Sequence, residues 1–153
     1  MDWARLKTTE WVAMAGGLLL AISVFVKCYE ANPGNPNAQF DGGVKGTVSA
    51  WEVHDIMRWL LLAAALAPFI LAWIIVRDHE LSWGRGELTA VVAIAALGLI
   101  FYTGIIDRPG SPSGEIELEI GWYGMLLGAL LMMLGAVQRS SEQERRRKPP
   151  GVL

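Results

Sequence analysis

Cysteine is almost missing from this chain of 153 residues, with Cys28 alone. One cysteine forms no intramolecular disulfide, so no covalent frame holds the loops. Histidine is nearly as scarce, with only His54 and His79. No C-x-x-C or H-E-x-x-H spacing is present, which removes the usual zinc frameworks. Phosphate loops, dinucleotide fingerprints and nucleophile elbows are also missing. A net charge of −2 gives no basic surface for nucleic acid. No cofactor or metal is implied, and no nucleophile stands beside a base, so an enzyme is not the expected reading.

Four stretches lack charge altogether: Trp11–Val26, Trp59–Val76, Leu88–Ile106 and Ile120–Val137. Crossing a bilayer core takes roughly 20 apolar residues in a helix. Without water, each run must satisfy its own backbone hydrogen bonds, which only a helix does within one segment. The runs therefore predict an all-α membrane protein, a four-transmembrane-helix up-down bundle. Its spans cover about 10–27, 56–76, 87–106 and 120–137. Outer loops cover 28–55 and 107–119, and a basic tail 138–153. The first run is short and follows basic residues, as a signal peptide would. No small-x-small cleavage site follows it, so it is read as an uncleaved span. Within the runs the polar residues are few, chiefly Ser23, Thr89, Tyr102 and Thr103. Pumps and coupled transporters use intramembrane Asp, Glu, His or Arg, so this content argues against them.

Orientation follows from the basic residues. Nine of the 13 Lys and Arg fall at the N-terminus, in the 77–87 loop and in the tail. Four fall on the other side: Lys27, Lys45, Arg58 and Arg108. The positive-inside rule then puts both termini in the cytoplasm of a multi-pass cell-membrane protein. Trp3, Trp11 and Trp83 suit headgroup-level anchoring. Arg145, Arg146, Arg147 and Lys148 suit anionic lipid headgroups.

Small residues predict how the helices meet. Ala13, Gly17 and Ala21 form one ridge, and Gly121, Gly124, Gly128 and Gly135 another; packed together they would bring two backbones close. The glycine ridge also suits a homo-oligomer or a membrane protein partner. Ser49-Ala50-Trp51-Glu52 fits a capping box, predicting one helix that starts outside the bilayer and enters it near Trp59. Pro68 falls inside that span. In the outer loops, Asp41-Gly42-Gly43 can close a hairpin within 39–48. Glu115–Ile120 alternates charged and apolar residues, as a half-buried strand does. Pairing of the two segments would give a small extracellular β-sheet from loops 1 and 3. In the tail, Pro149-Pro150 stops any helix.

Glu52, His54, Asp55 and Arg58 form the candidate polar site, because ionisable groups at a membrane boundary are functional candidates. Their spacing also suits an ion-pair network that anchors the helix end.

The order of features resembles small four-span integral membrane proteins of high-GC Gram-positive bacteria. It runs from a basic start through Ser49-Ala50-Trp51-Glu52 before the second span to a last span opening Gly121-Trp122 and a basic tail. That resemblance implies topology and transfers no catalytic residue. The layout is also similar to claudin-like proteins, which place a small sheet outside four spans. Their paired loop cysteines and Trp-Leu-Trp signature are not in this chain, so the likeness is one of architecture. The expected role is a non-enzymatic accessory or interaction protein of the cell envelope, partnered by the bilayer. The alternative is a component that binds or transports small molecules, lipids or ions at the outer end of the bundle.

Overall fold

The computed structural model describes residues 6–77 and 86–147. The expected roles of Trp3, Trp83 and Lys148 lie outside these residues. The chain is mostly helical and carries a small three-stranded sheet.

Helix α1 covers Thr8–Ser23. At about 1.5 Å per residue it is roughly 24 Å long. The Lys7 backbone N–H donates to Glu10 Oε2 at 2.5 Å, which satisfies one open amide at its start. After the fully buried Val24 the chain enters strand β1, Lys27–Ala31. Strand β2, Thr47–Ser49, and strand β3, Ile116–Leu118, flank β1 in the order β2-β1-β3. Both pairings are antiparallel, with Tyr29 opposite Val48 on one side and Leu118 on the other. Loops 1 and 3 do supply the sheet, but the pairing differs from expectation. Segment 39–48 does not lie beside 116–118 as a strand, because β1 takes the place between them. Lys-Cys-Tyr-Glu-Ala has no period-two pattern, since Cys28, Tyr29 and Ala31 are all buried. Gly42 and Gly43 do turn the chain, both at positive φ, and Phe40 bridges Val44.

The Ser49–Glu52 box caps a helix of one turn, α2, Ala50–Val53. Expectation ran that helix on into the span, and here it fails. His54 takes extended backbone at φ −124° and ψ 95°, and the span helix α3 restarts over Met57–Val76. Leaving the helix lets the His54 ring reach Tyr29, described below. α3 runs unbroken through Pro68.

Helix α4, Glu87–Phe101, widens into a π turn over Tyr102–Ile106. Two side chains take carbonyls of the preceding turn at that widening. The Thr103 hydroxyl donates to the Leu99 carbonyl at 3.0 Å, and the Trp122 indole N–H donates to the Ile100 carbonyl at 3.1 Å. Gly104 lies so close to the Trp122 ring that a β-carbon would collide with it. Arg108 then ties the turn to the sheet, donating to the Gly104 and Ile116 carbonyls at 2.7 and 2.6 Å.

Helix α5 covers Ile120–Arg147, about ten residues past the expected end at Val137. The helix takes in Arg145, Arg146 and Arg147 of the expected basic segment as its last turn. A polar, charged sequence continues a helix once an apolar segment has nucleated it.

Each long helix packs on two neighbours, in the ring α1, α3, α4, α5. Leu20, Leu61, Ile100, Met125 and Met132 fill the centre, all at 2% exposure or below. The outer surface is apolar: Leu18, Ile22, Phe25, Leu66, Ile70, Val91, Ile94 and Leu127 are all exposed. Among the described residues, three helices are long and apolar enough to cross a membrane: Met57–Val76, Glu87–Ile106 and Ile120–Ser141.

The expected ridge contact is present, with a correction. Building a β-carbon on Gly128 would bring it 2.6 Å from the Leu20 nitrogen and 2.8 Å from the Gly16 oxygen. Gly135 meets Thr9 and Ala13 in the same way, and Gly124 meets Ser23. The α1 face against α5 is thus Thr9, Ala13, Gly16, Leu20 and Ser23. Gly17 points one residue round and packs on α3, against the Ala65 carbonyl and Pro68. Ala21 is only partly buried. Gly121 lies under Val26, Lys27 and Cys28 where β1 begins.

Candidate functional site

The four residues of the candidate site share one short stretch of chain but part into three directions. Glu52 turns back on its own helix. Its Oε2 accepts from the Ser49 backbone N–H at 2.6 Å and from the Ser49 hydroxyl at 2.8 Å, while Lys27 Nζ stands 3.9 Å away. These Ser49 hydrogen bonds favour the carboxylate and hold its pKa below the usual range.

Asp55 projects into solvent, its side chain 92% exposed, and reaches Arg58 Nη2 at 3.5 Å. A pair so exposed contributes little, about 0–1 kcal/mol. Arg58 is held mainly elsewhere. Nη1 donates to the Trp51 carbonyl at 3.0 Å, and the guanidinium lies 4.7 Å from the Trp51 ring centre and 5.9 Å from that of Trp59. Phe25 extends this stack, its ring 5.0 Å from Trp51. Arg58 is thus clamped by aromatic rings and the Trp51 carbonyl at the start of α3, and the expected ion pair with Asp55 is the lesser of its contacts.

His54 turns inward. Its Nε2 lies 3.3 Å from the Tyr29 hydroxyl, which lies 3.4 Å from Thr103 Oγ1. The two rings meet edge to face at 5.8 Å. Burial pushes the imidazole below its usual pKa, against an opposite pull from Asp107. Burial also pushes Tyr29 up to about 12 and Cys28 up to about 11. The Cys28 thiol is a protonated packing group that donates to the Val26 carbonyl at 3.2 Å, not a nucleophile.

Beside these groups lies a recess of about 300 Å³, lined by Phe40, Asp41, Val48, Glu52, Asp55 and Pro109. Among the described residues, no three His, Cys, Asp or Glu side chains converge as metal ligands do.

Two features escaped sequence reasoning. Tyr29 and Thr103 join the site from elements 74 residues apart. At the other end of the bundle Glu10 and Arg139 pair across α1 and α5, Oε1 to Nε at 3.1 Å, with side chains 4% and 11% exposed. A signal for this pair was in the spacing. Arg139 follows Gly135 by four residues and Glu10 precedes Ala13 by three, so both continue the ridges.

A second cavity opens sideways between α3 and α4. It measures about 730 Å³ and runs the length of both helices, past Leu60, Ala63, Ala67, Val92, Ala95 and Leu99.

Comparison with protein families, with curated proteins and with solved structures yields no match to this chain.

Proposed function

We propose that this chain is a four-span protein of the cell membrane, with both termini cytoplasmic. In this reading it acts without catalysis, as an accessory or interaction protein that receives a membrane helix of a partner protein between α3 and α4. The observation that carries the reading is the sideways apolar cleft of about 730 Å³. In this cleft Ala63, Ala67 and Ala95 offer the small side chains that let a further helix approach. The glycine ridge, the other surface suited to helix contact, is already used between α1 and α5. The fourth span in this reading is α1. It packs against both α3 and α5 and exposes Leu18 and Ile22 outward. The nine-to-four distribution of Lys and Arg supports the orientation.

Affinity purification from native membranes, with wild type and Ala67→Trp in parallel, tests this. The indole should fill the cleft, leave the melting temperature in detergent unchanged, and remove the copurifying membrane protein. Retention of the same partner at the same yield would contradict the proposal.

A second reading, ligand binding or transport at the outer end, is favoured by one observation, the recess with Asp41, Glu52 and Asp55 on its wall. It predicts that Asp55→Asn changes the uptake or binding of a cationic solute while copurification is unaffected.

A further inference from the structure

The outer ends of α1 and α3 share a corner where an apolar surface and a pair of opposite charges lie together. The Trp51 backbone N–H donates to the Val24 carbonyl at 3.0 Å, which fixes α2 across the end of α1. The Trp51 ring centre then lies 5.0 Å from that of Phe25 and 5.1 Å from that of Trp59. Phe25, Ile56, Trp59 and Leu60 are all more than half exposed. Ile22 and Leu18, also exposed, continue the apolar surface along α1. Beside the rings stand one guanidinium and one carboxylate, with Arg58 Nη2 3.5 Å from Asp55 Oδ1.

Both charged groups have capacity left. The Asp55 side chain is 92% exposed, and a carboxylate has several acceptor positions. In Arg58, Nη1 gives one hydrogen to the Trp51 carbonyl and Nε is enclosed. The remaining Nη hydrogens serve Asp55 and leave room for an acceptor from outside.

We propose that this corner holds the headgroup of a phospholipid of the ethanolamine type, its phosphate on Arg58 and its ammonium on Asp55, with its chains along Phe25, Ile22 and Leu18. Charge complementarity selects this headgroup. It is a zwitterion, and the corner offers the two opposite charges side by side. A primary ammonium brings N–H donors to the carboxylate. A choline headgroup has no such hydrogen and is recognised best on an open aromatic face. Here the Trp51 face already carries Arg58, at 4.7 Å. An anionic glycerol headgroup would leave Asp55 unmatched and set a like charge beside it. A soluble phosphoamine would gain only exposed charge contacts, which are weak in water. Chains laid on the exposed apolar residues supply the rest. Placing Trp59 at headgroup depth rests on the membrane reading above; a partner helix between α3 and α4 is not needed.

Native mass spectrometry of the full chain in detergent reads the site. The chain is incubated with equal amounts of dioleoyl phosphatidylethanolamine, phosphatidylcholine and phosphatidylglycerol. The ethanolamine lipid should be retained over each of the others by about fivefold, the effect of one exposed charge contact. Asp55→Asn, at a side chain in solvent, should fold as wild type and bring the ratio over the choline lipid to about one. Equal retention of the three lipids by wild type, or the same preference in Asp55→Asn, would overturn the proposal. Glycerophosphoethanolamine, the headgroup without chains, should leave the bound lipid in place at about tenfold excess; displacement would overturn a lipid as the occupant. Micelles have no sidedness and hold no partner protein, so a failure of the orientation or of the cleft would leave this result unmoved.

Discussion

Along the seam between α1 and α5, glycine on each helix faces the backbone of the other. Between α3 and α4, alanine and larger side chains line a cleft of about 730 Å³. All four helices are apolar, so hydrophobicity does not decide which pair closes. The position of the residues without side chains does. Gly16 and Gly128 point at each other, so their helices come together until a β-carbon would lie within 3 Å of opposing backbone. Gly98 on α4 faces open space and brings nothing closer. A small residue closes a seam only where the opposite helix presents another at the same height, because dispersion falls off within about an ångström of ideal contact.

The strongest way to break this contrast is Gly128→Leu. Overpacking ordinarily costs about 1–3 kcal/mol. Here the obstacle is backbone, which cannot rotate away, so the effect should exceed that range. Loss of the folded fraction in detergent, read by circular dichroism on heating, is the expected result. Ala95→Leu in the open cleft should leave the melting temperature within a few degrees of wild type.

Next comes Glu10→Ala, which leaves Arg139 without its carboxylate at the end of the same seam. Breaking a buried pair from one side costs about 3–5 kcal/mol, and the lower end is expected here, because the pair sits near a helix end. Thermal melting in the same detergent measures it. A loss below the roughly 1 kcal/mol of a surface pair would mean that water reaches Glu10.

Ser49→Ala should cost about 1 kcal/mol, because only the one-turn helix α2 depends on that cap. Faster proteolysis at 50–58 without a change in the global melting temperature would mark the loss as local. The smallest effect belongs to Gly98→Ala. With nothing within 4 Å of the new methyl, it should stabilise α4 by up to about 1 kcal/mol through helix propensity alone.

What the sequence made legible was what depends on local pattern. Apolar runs placed the three long helices, and Ser49 with Glu52 placed a cap. Glu115–Ile120 placed a strand. Residues that act through distant partners were not legible. Strand β1 has no periodicity, because both of its faces are covered, and Tyr29 gains its meaning only beside His54 and Thr103. The break at His54 carries no glycine or proline; it exists because a side chain finds partners outside the helix. On α1 the choice between Gly16 and Gly17 depends on rotation about the helix axis. One residue turns a side chain by about 100°, and sequence spacing alone does not fix that angle against a neighbour. The candidate polar site was located by its charges, yet one of its four residues, His54, faces inward towards Tyr29.

Photocrosslinking in native membranes tests the contrast most directly. A benzophenone amino acid at Ala67 lies in the cleft; the same group at Leu18 lies on the exposed face of α1. The account predicts a discrete protein adduct from Ala67 and only lipid adducts from Leu18. Lipid adducts alone from Ala67, or the same protein adduct from both positions, would contradict it.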